Sequence, residues 1–407
     1  MRAGLVIPAV VISSAAGLGG AAARNQEQRP TIRSGVELLV VDVQVIDRAG
    51  KPLVALKPAD FEVSLDGKRR RVVSAELVDF RAGAGAGAPA PPSPVPARAA
   101  PASSRAVGEG RRFVVAVDEH SFAMPSARAA MEAAGRFIDR LDTSDLVGLY
   151  TYPTGAAHSD LTSDHASVRH ALDKVAGLLQ PPLSQYRLTK SEIVDIASGD
   201  TEVLARVAVR ECGPPGMMCR RPILMEATSL AGYLESQIAQ SLSGLRNLIN
   251  GLSKLEGRKT VVLVSGGLFA ADRVTGRVNM GSEIRELGRE AALSNITLYV
   301  LHLDSNFIDA FSQGRVNLTS LFRDTNALAA GLEQVAGAAG GAVIRVQAGT
   351  GDSAFDRVLT ENSAYYLLGV EVEREDRDGE AHQIRVRVRQ RGATVRSRNV
   401  AVVPKGS

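Results

Sequence analysis

Residues 112–121 read RFVVAVDEHS, an apolar run that ends in a carboxylate and precedes a loop containing Pro125. The run lacks the alternation of a half-exposed strand, so it predicts a strand buried on both faces. In a chain of alternating strands and helices, such a strand lies centrally in a parallel sheet. Open α/β sheets bind ligands at the carboxyl ends of their strands, so Asp118 lies where a site is expected.

Further buried runs at 146–151, 260–265, 296–304 and 342–346 alternate with stretches of helical periodicity. Strands that alternate with helices in this way pair in parallel and are covered by helices on both faces. Residues 111–350 are therefore predicted to form a doubly wound, mostly parallel α/β sheet of Rossmann-like type.

Four helices have clear signals in the sequence. Inward apolar residues suggest one across 168–179, and the capping-box sequence TKSE at 189–192 opens another. A long helix carries leucine and isoleucine at helical intervals over 230–252. The last is predicted over 325–339, closed by a glycine pair.

Two segments, one near each end of the chain, have the sequence pattern of antiparallel strands. Residues 31–80 contain predicted strands at 36–46, 60–65 and 70–77, and residues 364–404 contain them at 365–372, 384–389 and 393–402. Asp66-Gly67 between two of these strands predicts a tight hairpin. Because neither segment has enough strands alone, we expect them to pair into one small sandwich-like β domain. Residues 81–110, rich in Ala, Gly and Pro, are predicted to be a linker.

The chain has 407 residues, of which 45% are hydrophobic and 23% charged, enough for two or three globular domains. Its 48 basic and 44 acidic residues leave a formal charge of only +4. Aromatic residues make up 4% and tryptophan is absent, so platforms for stacking bases are not expected. The composition therefore predicts a globular protein that does not bind nucleic acid.

The first 23 residues have the order of a secretory signal peptide, with a cation at Arg2, an apolar run at 5–12 and small residues ending at Ala23. We expect cleavage near Ala23 and an exported protein, periplasmic or extracellular. An uncleaved amino-terminal anchor is the alternative. Nothing later in the sequence predicts a transmembrane span.

Cys212 and Cys219 are the only cysteines, and they enclose Gly-Pro-Pro-Gly-Met-Met. In an oxidising compartment, two thiols across such a turn-rich loop predict a disulfide. Metal binding is the alternative, but two thiolates without a nearby histidine do not complete a tetrahedral site.

Two basic clusters suggest a surface for polyanions. Residues 68–71 read KRRR at the predicted hairpin tip, and Arg385, Arg387 and Arg389 share one face of a strand. Such clusters are more often the solvated face of a half-buried sheet, and we expect that interpretation for both.

The motifs occur in a fixed order that covers nearly all of the mature chain. They are GKP at 50–52, DFEV at 60–63, DG at 66–67, RFVVAVD at 112–118, GRKTVVLVS at 257–265, NITLY at 295–299 and YYLLG at 365–369. In this order they resemble the VWFA-related family first noted in acidobacteria, exported proteins built around a von Willebrand factor type A domain. The resemblance implies an A-domain used for adhesion or protein-protein contact, usually through a divalent cation at the top of the sheet.

The adhesion-site motif that the resemblance implies is incomplete here. Its D-x-S-x-S element corresponds to Asp118-Glu119-His120-Ser121-Phe122, in which histidine and phenylalanine hold the two serine positions. The candidate threonine is Thr189. Ser265-Gly266-Gly267 stands where many A-domains carry Thr-Asp-Gly, so the second carboxylate is missing.

Magnesium needs an octahedron of oxygens, usually with one or two carboxylates. With one carboxylate left, we expect no resident cofactor. At most, Asp118, Ser121 and Thr189 would bind Mg²⁺ or another divalent cation weakly.

Two functions from different classes follow. The first is a non-enzymatic binding module whose sheet rim contacts a protein partner or cell-envelope component. Its candidate residues are Asp118, Glu119, His120, Ser121, Ser265, Gly266, His302 and Asp304. The second is a hydrolase in which Zn²⁺ or another transition metal is bound by Asp118, His120, His302 and Asp304. The sequence contains no G-x-S-x-G elbow, Walker A loop or H-E-x-x-H motif, so we expect the first.

Overall fold

The computed structural model describes residues 38–81, 110–180, 184–270, 280–305, 318–346 and 351–405. The predicted signal peptide and most of the predicted linker lie outside the described residues. The strands are β1 Leu38–Ile46, β2 Phe61–Leu65, β3 Lys68–Arg70, β4 Val72–Asp79, β5 Arg112–Asp118, β6 Leu146–Tyr152, β7 His158–Thr162, β8 Lys259–Ser265, β9 Ile296–Leu303, β10 Ala342–Val346, β11 Ala364–Glu371, β12 Ala381–Val388, β13 Thr394–Ser397 and β14 Val400–Val402. The helices are α1 Met124–Asp139, α2 His165–Leu172, α3 Lys190–Ala197, α4 Thr201–Cys212, α5 Arg220–Ser253, α6 Gly281–Leu293, α7 Leu318–Ala338 and α8 Gly351–Glu361.

The central sheet has six strands in the order β10-β9-β8-β5-β6-β7. The first five pair in parallel, and the edge strand β7 runs antiparallel to β6. Alternate side chains of β5 enter two cores. Phe113, Val115 and Val117 pack with α1, α2 and α8, whereas Val114 and Ala116 pack with α3 to α7. The predicted α/β architecture, a mostly parallel sheet with helices on both faces, is confirmed.

Strands from both ends of the described chain share two antiparallel sheets, with the orders β13-β1-β11-β4 and β14-β12-β2-β3. Val41 lies opposite Leu368 in one sheet, and Val63 lies opposite Val386 in the other. All four side chains are buried in one hydrophobic core. The predicted pairing of the amino-terminal and carboxyl-terminal β segments is therefore confirmed.

The hairpin between β2 and β3 turns at Asp66 and Gly67, whose φ angles of 46° and 82° suit a two-residue turn. The strand predicted at 70–77 is wrong as a single element, because β3 and β4 belong to different sheets. The strand predicted at 393–402 is likewise divided between the two sheets as β13 and β14. Strands that switch sheets make the corners of a sandwich, and an apolar pattern does not record the switch.

Two predicted helices have different bounds in the structure. The helix expected over 168–179 ends at Leu172. The backbone N–H groups of Leu178 and Leu179 instead donate to the carbonyls of Glu119 and Phe122, at 2.7 and 3.1 Å. This segment therefore packs against the loop after β5.

Helix α7 begins at Leu318, earlier than the predicted start at residue 325. Asp324 has a side chain that often caps a helix, but here it caps a neighbouring one. Its carboxylate accepts from the N–H groups of Lys190 and Ser191 at 2.8 and 2.6 Å, at the start of α3. Helix α8 was not predicted from the sequence at all.

Candidate functional site at the carboxyl edge of the sheet

Three candidate residues lie at the same edge of the parallel sheet. Asp118 ends β5, Ser265 ends β8, and His302 is directly opposite Ser265 on β9. Parallel pairing places the ends of these strands side by side, with Val117 opposite Val264.

Asp118 is the buried acid of this edge, with 2% of its surface exposed. Its Oδ2 accepts hydrogen bonds from the hydroxyls of Ser241, at 2.8 Å, and Ser265, at 3.4 Å. Its Oδ1 has no hydrogen-bond partner among the described residues. Desolvation raises the pKa of Asp118 to about 7, although the two hydroxyls oppose the change. Near neutral pH this carboxyl is therefore close to half protonated.

The surroundings of Asp118 explain the raised pKa. A cavity of about 10 Å³ lies beside it, lined by apolar side chains that include Leu263, Leu298 and Val300. A space of this size holds at most about one water molecule, so bulk solvent does not screen the charge.

Ser241 was not identified from the sequence. It comes from α5, 123 residues away from Asp118. The available signal was a small polar residue on an apolar face, since Ser241 follows Ile238 by one turn and precedes Leu245 by another. Such a residue in a buried stripe needs a hydrogen-bond partner, which Asp118 supplies.

Ser121 and Gly266 join the loops after β5 and β8. The Ser121 hydroxyl donates to the Asp118 carbonyl at 2.7 Å and accepts from the Gly266 N–H at 2.8 Å. A Cβ atom at Gly266 would lie 2.1 Å from the Ser121 carbonyl oxygen, so only glycine allows this approach. The hydroxyl of Ser121 is thus occupied in holding the loops together.

The two histidines of the rim have different environments. His302 is buried, and its Nε2 lies 3.2 Å from the Gly266 carbonyl, to which it donates. Its Nδ1 has no partner among the described residues, and burial lowers its pKa. Asp304 also has a buried carboxylate oxygen without a described partner. His120 is only half-buried.

Glu119 and Thr189 do not join Asp118. Glu119 is buried, and its carboxylate accepts from the hydroxyl of Thr154 in the loop after β6. Thr189 caps α3 as predicted, its hydroxyl accepting from the N–H of Glu192 at 3.3 Å.

These residues do not fit the adhesion-type cation site that the resemblance implies. The hydroxyls of Ser121 and Thr189 are already bonded, and Gly266 supplies no carboxylate. Within the part of the chain that the structure describes, no group of three His, Cys, Asp or Glu side chains could hold a metal ion. The four residues of the hydrolase hypothesis are all described and do not form such a group.

A shallow cleft of about 70 Å³ lies between the loops after β5 and β8 and the neighbouring face of α5. Its lining mixes polar and apolar side chains, among them His120, Gln237, Lys190, Phe269 and Leu328. Pockets that enclose small organic ligands are several times larger, about 300–1,000 Å³. The cleft therefore suits surface contact better than enclosure of a substrate.

The predicted disulfide joins Cys212 to Cys219, between the end of α4 and the start of α5. Five apolar side chains on and around this loop are exposed. We call them the methionine patch: Val209, Met217, Met218, Leu224 and Met225.

The basic clusters fall into two kinds. Arg70 at the hairpin is buried and forms a bidentate ion pair with Asp376, at 2.7 and 2.6 Å. It is therefore a structural residue and not part of a solvated tip. Arg385 and Arg387 lie exposed on β12, as predicted, and the exposed Arg389 directly follows the strand and contacts Glu62 at 3.2 Å.

The comparisons with family models and with curated proteins found no match for this chain. Among the described helices, none combines the length and the apolar character that crossing a membrane requires.

Proposed function

We propose that this protein is an exported, non-enzymatic binding module that contacts a protein partner or cell-envelope component without a metal ion. The observation that carries the proposal is that polar side chains of the rim form hydrogen bonds with one another and with the backbone. Asp118 bonds to Ser241 and Ser265, and Ser121 bonds to Gly266, so these side chains rigidify the edge. A set of groups preorganised for catalysis would instead be directed at a reacting atom.

The methionine patch supports a protein partner. Met218 is 91% exposed and Met225 is 65% exposed, next to a disulfide that restrains the loop. Methionine is frequent at surfaces that bind other proteins, because its flexible thioether adapts to the partner. Exposed apolar side chains in a group indicate contact with another surface.

Export rests on the sequence of residues 1–23, and the disulfide agrees with an oxidising compartment. Mass spectrometry of the protein recovered from its natural host tests this part. We expect an amino terminus near residue 24, and an intact residue 1 in an intracellular fraction would contradict it.

Affinity capture from envelope extract, with and without chelator, tests the contact itself. We expect the same partner in both conditions, and reduced recovery with either the rim variant His120→Glu or the patch variant Met218→Ser. Val402→Ser is the matched control, because Val402 is an exposed apolar residue of the β domain. Capture that requires a divalent cation would contradict the proposal, as would recovery that no rim or patch variant changes.

A further inference from the structure

A cavity of about 340 Å³ lies at the opposite, amino-terminal edge of the parallel sheet. It is bounded by the starts of β5 and β8, by the loops before β8 and β9, and by residues of the β domain. Its volume is within the range of sites for small organic ligands. It is separate from the rim described above and shares no lining residue with the cleft there.

The lining is strongly basic. Five cations contribute to it, namely Arg111, Arg112, Arg258, Lys259 and Arg398, against two carboxylates, Asp42 and Glu256. Arg111 is neutralised by an ion pair with Asp145 outside the cavity lining. The remaining charges still leave the cavity positive.

Three of these cations are held by neutral groups. Lys259 Nζ donates to the Leu255 carbonyl at 2.6 Å, and a terminal nitrogen of Arg398 donates to the Val40 carbonyl at 2.8 Å. The Arg258 guanidinium lies over the ring of Tyr365, 4.8 Å from its centroid. In the described part of the chain, none of the three has a carboxylate within ion-pair distance.

The arrangement is costly without a counter-ion. Lys259 is 2% exposed, and Arg398 Nε is buried without a hydrogen-bond partner among the described residues. Burial, together with repulsion from Arg112, lowers the pKa of Lys259 to about 8, although attraction to Asp42 opposes the change. Carbonyls at the carboxyl-terminal end of α5 partly compensate, as helix ends do for cations. A bound oxyanion would supply the missing charge and hydrogen-bond acceptors.

Asp42 adds a second recognition element. Its Oδ2 accepts from the Asn295 side chain at 3.0 Å, whereas its Oδ1 is buried with no described partner. An unpaired carboxylate oxygen beside a group of cations suits a ligand that carries both an anionic group and a hydroxyl donor. A simple inorganic ion has no hydroxyl group placed at a distance from its charge.

We propose that this cavity binds a small hydroxylated organic anion, with its carboxylate or phosphate on Arg258, Lys259 and Arg398 and a hydroxyl on Asp42. Guanidinium groups bind both kinds of oxyanion in bidentate geometry, so the shared chemistry is the oxyanion next to a hydroxyl. The site is independent of the contact surface proposed above.

Calorimetric titration of the full mature chain at low salt tests the proposal. The probes are glucuronate, glucose 6-phosphate, inorganic phosphate and neutral glucose. We expect saturable binding of at least one of the two sugar anions, with a dissociation constant of about 1 mM or lower. Binding of only one of them would identify the carboxylate or the phosphate as the natural group. Inorganic phosphate should bind at least tenfold more weakly than the preferred sugar anion, and glucose should not bind.

Three variants separate this site from nonspecific attraction. Arg258→Gln and Lys259→Met should each weaken binding by about tenfold or more, whereas Arg385→Gln, on the exposed face of β12, should leave it unchanged. Lys259→Met should at the same time raise the melting temperature of the ligand-free protein, which shows that it folds. Absence of saturable binding by both sugar anions would overturn the proposal. Equal losses with Arg258→Gln and Arg385→Gln would also overturn it, and equal affinity for inorganic phosphate would overturn the role of Asp42.

Discussion

At the carboxyl edge of the parallel sheet the buried charge is Asp118, held by the hydroxyls of Ser241 and Ser265. At the amino edge the buried Lys259 and the half-buried Arg398 donate to backbone carbonyls. The first arrangement uses its serine hydroxyls internally, around a carboxyl whose pKa is raised to about 7. The second leaves fixed positive charge around a much larger cavity. Open α/β sheets usually bind ligands at the carboxyl edge, but here the space and charge for a small ligand lie at the other edge.

Replacing Asp118 tests the carboxyl edge of the sheet and has the largest expected effect on stability. Its folded-state pKa of about 7 is above the ordinary value of 3.8, so the folded state keeps a proton that the unfolded state loses as the pH rises through this window. As the pH rises from 4 to 8, the titration of Asp118 therefore lowers the free energy of unfolding by up to about 4 kcal/mol.

In Asp118→Asn this contribution disappears, and the stability difference between variant and wild type should change with pH by a similar amount. Urea unfolding at several pH values measures it. A constant difference across the window would show that Asp118 does not titrate in this way.

Lys259→Met tests the amino edge of the sheet. The folded-state pKa of about 8 is below the ordinary 10.5, so the unfolded state binds more protons between these values and stability rises with pH there. Below pH 8 the buried charge is a cost, and its removal should stabilise the ligand-free protein by about 1–3 kcal/mol.

The gain should shrink as the pH approaches 10. Lys254→Met is the matched control, because Lys254 is exposed at the C-cap of α5, and it should change stability by less than about 0.5 kcal/mol. A destabilised Lys259→Met protein at pH 7 would mean that the lysine contributes packing or bonding that outweighs its desolvation.

Ser241→Ala tests the hydrogen bond to Asp118 at the carboxyl edge, with a smaller expected effect on stability. The Ser241 hydroxyl stabilises the ionised form of Asp118, so its loss should raise the pKa of Asp118 further and cost about 1 kcal/mol at pH 8. The cost should be smaller at pH 5, where the carboxyl is protonated. Ser236→Ala, on the exposed face of the same helix, provides the baseline, and equal pH profiles for the two variants would contradict the contact.

Sequence patterns predicted the features that depend on neighbouring residues. The unbroken run at 113–117 identified the central strand, and parallel pairing then predicted that Asp118 and Ser265 would share an edge. The capping box at Thr189 and the Asp66-Gly67 turn also follow from local chemistry.

The missed features depend on contacts between distant parts of the chain. Ser241 reaches Asp118 from a helix more than a hundred residues later, and nothing local specifies that contact. The basic cavity combines Asp42, Lys259 and Arg398, from three segments that meet only after the β domain packs against the sheet. The sequence pattern predicts one continuous strand through Arg398, but Arg398 lies between β13 and β14.

Titration of Mg²⁺ and Mn²⁺ into the metal-free protein at pH 7 tests the central claim most directly, with Asp118→Asn measured in parallel. Because the hydroxyls of Ser241 and Ser265 are bonded to Asp118 and that of Ser121 to Gly266, we predict no saturable binding up to about 1 mM of either ion and no difference between the two proteins. Stoichiometric binding that is lost in Asp118→Asn would show that the carboxyl edge is a cation site and would contradict the account.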